Sequence, residues 1–82
     1  MKVEILTPEK KIFEGEVETL SVPTRSGHIT VLSNHAPLVT AVDSGIITVQ
    51  TKEGKKSFEG EKGVLQTMKN KTTLLLRKCR EK

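Results

Sequence analysis

Ile46-Ile47-Thr48-Val49-Gln50-Thr51-Lys52-Glu53-Gly54-Lys55-Lys56-Ser57-Phe58-Glu59-Gly60-Glu61 is the stretch whose reading decides the fold class of this 82-residue chain. Two segments, Ile46 to Thr51 and Lys56 to Glu61, flank the turn Lys52-Glu53-Gly54-Lys55. Glycine takes a positive φ at no steric cost, so Gly54 suits the left-handed position of a hairpin with a bulge.

Outward from this hairpin the same grammar repeats. Val64 to Met68 and Thr72 to Arg77 form a second pair, joined by Lys69-Asn70-Lys71, where asparagine tolerates a positive φ. On the N-terminal side, Asp43-Ser44-Gly45 closes an element running from Leu38 to Val42. Pro37 lacks a backbone donor and fits the first position of a strand or an edge, so Ser33-Asn34-His35-Ala36-Pro37 reads as a loop. His28 to Leu32 is a strand with Ile29 and Val31 on one face, entered from the turn Thr24-Arg25-Ser26-Gly27. A first short strand, with Val3 and Ile5 on a shared face, ends at Thr7-Pro8, since proline disfavours helix in the residue before it.

Between Lys11 and Val22 the alternation changes phase. Phe13, Gly15 and Val17 occupy odd positions, Leu20 and Val22 even ones. Side chains alternate faces along a strand, so the shift predicts either a β-bulge near Glu18-Thr19 or a strand that crosses from one sheet to the other. Glu14, Glu16 and Glu18 then line the solvent side. Turn signals about every eight to twelve residues predict an all-β fold: a flattened, two-sheet antiparallel β-sandwich or barrel of about eight to ten short strands. Residues 1–77 make one domain, and residues 78–82 read as a basic tail, either a solvated end or a truncated helix start.

Composition narrows the function. A chain of this size buries only about 60–65% of the surface its unfolded form exposes, so the core is thin. Phe13 and Phe58 are its only aromatic residues, which leaves the packing to Val, Ile and Leu. The formal charge is +4, but Arg77 to Lys82 carry a net +3, so the folded body is close to neutral. Small β-barrels that bind nucleic acid rely on aromatic platforms in a basic groove, and this chain has little material for either.

Reacting groups do not cluster in the sequence. Cys79 is alone, so no disulfide forms within the chain, and with no signal sequence a reducing, cytoplasmic setting is expected. No apolar run approaches the roughly 18 residues of a membrane span. One cysteine and two histidines, His28 and His35, are too few for a zinc site. Ser33, His35 and Asp43 supply the residue types of a hydrolase triad without the glycine pattern of a nucleophile elbow. The glycines stand singly and build no phosphate-binding loop. No catalytic residue, metal or cofactor is therefore expected.

Two stretches carry a resemblance. Leu6-Thr7-Pro8-Glu9-Lys10-Lys11-Ile12-Phe13-Glu14-Gly15 is similar to a turn followed by a Phe-x-Gly strand, and Ser33-Asn34-His35-Ala36-Pro37-Leu38-Val39-Thr40-Ala41 contains His-Ala-Pro-Leu followed by Thr-Ala. From Val3 to Leu76 the chain resembles the N-terminal β-sandwich domain of the epsilon subunit of F-type ATP synthases, with Gly45-Ile46-Ile47 and Lys62-Gly63-Val64-Leu65 as further landmarks in order.

The resemblance implies a non-catalytic rotor subunit in the central stalk of a proton-translocating enzyme, joining the gamma subunit to the c-ring and coupling proton flow to ATP synthesis. It implies a peripheral place on the cytoplasmic face of a bacterial membrane. Ser26, Gly27, His28 and Ile29 correspond to the segment that meets the c-ring, and Ser33, Asn34, His35 and Thr40 to the edge near gamma. His28 stands where the family pattern has Glu, and Thr30 where it has Gly. The family continues beyond the point matched by Lys82 into a two-helix domain, so inhibition of hydrolysis and ATP binding are not expected of these residues. A rival reading, a biotinyl or lipoyl carrier modified at Lys69, rests on Thr67-Met68-Lys69-Asn70, but the second methionine of that signature and the internal repeat are missing.

Overall fold

The computed structural model describes residues 1–34 and 36–82. Ten strands follow one another: β1 (Lys2–Leu6), β2 (Lys11–Glu16), β3 (Thr19–Thr24), β4 (Gly27–Leu32), β5 (Leu38–Val42), β6 (Gly45–Thr51), β7 (Gly54–Gly60), β8 (Gly63–Met68), β9 (Lys71–Leu76) and β10 (Cys79–Glu81). They form two five-stranded sheets, β2-β1-β9-β8-β5 and β10-β7-β6-β3-β4, in a body of 27 × 26 × 22 Å. The all-β sandwich is as expected.

Period-two burial explains the layering. Val3 and Ile5 of β1, Leu65 and Thr67 of β8, and Thr72, Leu74 and Leu76 of β9 turn inward from the first sheet. Leu20 and Val22 of β3, Val31 of β4, Ile47 and Val49 of β6, and Phe58 of β7 meet them from the second. Burying each of the apolar side chains contributes about 1.5–3 kcal/mol, which offsets the ordering of short strands. Phe13 packs edge-on against Phe58 with ring centroids 5.8 Å apart.

The phase shift after Val17 marks a change of sheet and not a bulge. β2 ends at Glu16 in the first sheet, and β3 begins at Thr19 in the second. The crossing is held by Val17 N–H donating to Met1 O at 2.9 Å and Glu18 N–H donating to Gln50 O at 2.7 Å. Glu14, Glu16 and Glu18 are exposed, as read from the sequence. The bulge that does occur lies where Leu6 of β1 pairs with Lys11, one residue out of step with Ile5 and Phe13.

Three expectations change. First, one pairing is parallel: β1 runs alongside β9 from Lys2↔Lys71 to Leu6↔Leu75, because β1 fills the gap between the edge strand β2 and the β8–β9 hairpin. Second, the β6–β7 hairpin has no bulge; its register is continuous from Gly45↔Gly60 to Thr51↔Gly54, and Gly54 (φ 140°) opens β7. The Thr51 hydroxyl donates to Gly54 O at 3.0 Å and accepts from Glu53 N–H at 3.2 Å, which closes a two-residue turn. Third, the basic end is neither a loose tail nor a helix start. Residues 79–81 add to the sandwich as β10, with Glu61 N–H donating to Lys78 O at 2.8 Å and Lys82 N–H to Ser57 O at 2.9 Å. Arg80 donates to Glu59 Oε1 at 2.6 and 3.0 Å, so a charged sequence gains partners that its composition does not show.

Candidate interaction surface

Among the described residues, the segments expected to meet partners fall along one flank, on the β3–β4 turn, on β4, just beyond its end and on β5. The β3–β4 turn repeats the device of the β6–β7 hairpin: Thr24 Oγ1 donates to Gly27 O at 2.6 Å and accepts from Ser26 N–H at 3.2 Å, with Gly27 at φ 113°. Ser26, Gly27 and His28 are exposed, while Ile29 is half-buried and packs on the core. His28 Nε2 lies 3.4 Å from the Ile46 carbonyl, which ties the ring to the neighbouring sheet surface.

Ser33 and Asn34 lie in the turn just beyond the far end of β4, roughly 20 Å from Gly27 at about 3.3 Å per residue. The Met1 ammonium donates to Ser33 Oγ at 3.4 Å, to Val17 O at 3.3 Å and to Glu16 Oε1 at 3.3 Å. Asn34 has φ 66°, and its N–H donates to Asn70 Oδ1 at 3.0 Å. His35, expected near gamma, lies outside the described residues.

Thr40 sits on β5 opposite Leu65, half-buried, with its hydroxyl 3.4 Å from Ala41 O. Its neighbours Val39 and Ala41 point outward, and Val39 is 68% exposed. Sequence reasoning did not single out Val39. The signal was present, because Val42 must face the core and alternation then turns Val39 away from it.

The opposite flank, where β2 and β10 form the edges, is charged. Lys11 Nζ reaches Glu14 at 2.7 Å and Glu4 at 3.5 Å, Lys2 reaches Glu14 at 3.1 Å, and Lys71 reaches Glu4 at 3.5 Å. Hydrogen bonds from Lys11 and Lys2, with their charge, hold the Glu14 carboxyl below its ordinary range, and Glu14 in turn raises Lys11. Such exposed pairs contribute little to stability. Burial pushes the Cys79 thiol up, so it stays protonated and weakly nucleophilic. Cys79 borders a cleft of about 840 Å³ together with Glu9, Lys10, Glu59, Lys78 and Arg80.

Ser33 and Asp43 do not meet. Ser33 adjoins Met1 at one end of the β3–β4 hairpin, whereas Asp43 N–H donates to Pro23 O at 2.9 Å near the other. Among the described residues, no group of three His, Cys, Asp or Glu side chains is placed to hold a metal, and no helix is long and apolar enough to cross a membrane. Lys69 stands at the tip of the β8–β9 turn with φ 49°.

The fold is thus a small two-sheet β-sandwich that presents exposed segments along one flank. The chain belongs to the family described as ATP synthase, Delta/Epsilon chain, beta-sandwich domain, which matches residues 1–82. It is 41% identical over 75 residues to the chloroplastic ATP synthase epsilon chain of Tetradesmus obliquus, covering 92% of this chain and 55% of that one. It is 36% identical over 75 residues to the ATP synthase epsilon chain of Leptospira interrogans, covering 92% and 59%. The chain thus spans little more than half the length of these relatives. Among solved structures it is similar to a chain in the Euglena gracilis mitochondrial ATP synthase OSCP/F1/c-ring structure, with a TM-score of 0.89, 18% identity and coverage of 96% and 51%. A chain in the Tetrahymena thermophila mitochondrial ATP synthase central stalk and c-ring structure matches with a TM-score of 0.82, 15% identity and coverage of 98% and 65%. At these identities the structural likeness concerns the fold. The family match leaves the carrier reading at Lys69 without support.

Proposed function

We propose that this chain is the non-catalytic rotor domain of a proton-translocating F-type ATP synthase, joining the gamma subunit to the c-ring so that ring rotation drives ATP synthesis in other subunits. The observation that supports the reading is the family match over residues 1–82; β4 links the two segments proposed here as contacts, Ser26 to Ile29 at its start and Ser33 and Asn34 just beyond its end. A strand paired within a sandwich transmits load between its ends without a hinge. Ser26, Gly27, His28 and Ile29 meet the polar loops of the c-ring; Ser33, Asn34, His35 and Thr40 face gamma. The domain comprises residues 1–77 with β10 added to its second sheet. It works peripherally at the membrane as part of the complex, on the cytoplasmic face in a bacterium.

The test is size-exclusion chromatography of the chain with gamma from the same source, followed by retention on the c-ring. A one-to-one complex with gamma is expected, weakened by Asn34→Lys, whereas Ser26→Glu impairs c-ring retention and spares gamma binding. No complex with a folded gamma would overturn the reading.

A further inference from the structure

The sandwich has four edge strands, β2, β5, β10 and β4, and they are not protected equally. An unpaired strand edge is a template for another strand, and proteins blunt such edges with charge, bulges or shortness. The β2 edge carries Lys11, Glu14 and Glu16 and a register shift opposite Leu6. β10 is three residues long and includes Arg80 and Glu81. β4 presents the His28 ring and adjoins a sheet face of Thr19, Ser21, Thr48 and Gln50.

β5 has none of these devices. Leu38-Val39-Thr40-Ala41-Val42 contains no charge and no glycine, and its register with β8 is unbroken from Leu38↔Thr67 to Val42↔Gly63. Among the described residues its other side makes no backbone hydrogen bond. The adjoining sheet face presents exposed apolar side chains beside Gln66, which lies directly across from Val39. Val39 is 68% exposed, Val64 46% and Leu75 50%, and Ala41, Val64 and Leu75 are successive cross-strand neighbours. β8 also contains no charged residue.

We propose that β5 is a strand-addition site, where an uncharged extended segment of the gamma-type partner pairs with its backbone while the partner's apolar side chains cover Val39, Val64 and Leu75. The inference rests on the rotor reading and adds the mode of attachment. The lack of charge on β5 and β8 selects the occupant, since a charged strand would lose solvation there without gaining a counter-ion. A second copy of this chain does not fit. Two-fold pairing of β5 with β5 makes one continuous sheet and sets both apolar strips side by side, still in water. A five-residue edge alone also falls far below the roughly 800 Å² per partner of a stable interface, so the occupant must lap over the sheet face.

Amide hydrogen exchange of the chain, measured by NMR with and without gamma from the same source, tests this directly. Alternate amides of β5 are expected to slow by at least about 100-fold in the complex, as inter-strand hydrogen bonds form on the free edge. Val39→Lys should weaken binding by about tenfold or more, and Lys55→Glu on the other sheet should change it less than about twofold. If Val39→Lys does not fold, the exchange pattern of the unaltered chain decides alone. A complex without alternate protection in β5 overturns strand addition and leaves the rotor reading standing. Absence of any complex overturns both, and concentration-dependent protection of β5 without gamma overturns the choice of occupant.

Discussion

Asn34 and Asn70 lock two distant turns together: the Asn34 N–H donates to Asn70 Oδ1 at 3.0 Å, and both residues hold positive φ, 66° and 64°. Asn70 also accepts from Lys2 N–H through its carbonyl at 3.1 Å. One residue thereby joins the loop expected to face gamma, the β8–β9 turn and the start of β1. Asn70→Ala loses both the left-handed preference and the acceptor, with an expected cost of about 1–2 kcal/mol. Asn70→Gly keeps the turn and loses only the acceptor, so it should stay within about 1 kcal/mol of the unaltered chain. Urea unfolding measures both, and in both the Asn34 amide should exchange faster.

The buried hydroxyls of Thr67 and Thr72 face each other across β8 and β9, 2.9 Å apart, and Thr72 Oγ1 lies 3.3 Å from Met1 Sδ. Thr72→Val strands the Thr67 hydroxyl and should cost about 1–3 kcal/mol, whereas Thr67→Val leaves Thr72 its contact with Met1 Sδ and should cost less. Replacing both removes the need for a partner, so the double variant should be more stable than the sum of the single changes predicts. A double-mutant cycle by thermal unfolding reads the difference.

Gly63 lies directly against β9. A Cβ there would come within 2.8 Å of Leu76 Cα and closer still to the Leu75 carbonyl, and backbone cannot move aside as a side-chain tip can. Gly63→Ala should cost about 3 kcal/mol or more and lower Tm by more than about 10 °C. Gly54→Ala meets open space and only the cost of its φ of 140°, so the smaller loss belongs there.

Acid should loosen β10. Arg80 holds the Glu59 carboxyl below its ordinary value of 4.5, chiefly through its hydrogen bond and then its charge. A carboxylate with a lowered folded pKa contributes stability above its unfolded value, and this is lost as pH falls through the folded one. Exchange of the Lys82 amide, which donates to Ser57 O, should therefore accelerate below about pH 4.5 in the unaltered chain. Glu59→Gln should flatten that dependence.

Burial should also leave Cys79 slow towards alkylating agents at neutral pH, because its raised thiol pKa keeps the thiolate scarce. Mild urea that releases β10 should speed the reaction, as read by intact mass.

Local chemistry determined much of this molecule. Gly27, Gly54 and Asn70 place three hairpin turns because few residues accept their backbone angles, and the phase shift between Val17 and Leu20 signals either a bulge or a change of sheet, of which the structure shows the second. The sandwich class follows from these; the family was suggested separately by the resemblance of Ser33 to Ala41 and is shown by the match over residues 1–82. Tertiary structure alone decided the partners of each strand. The parallel contact of β1 with β9, the capture of a basic end as β10, and the alignment of Val39 with Val64 and Leu75 on one bare face all join residues far apart in the chain. Alternation tells a side chain which way to point, but the identity of the neighbouring strand depends on which distant segments can close the core together.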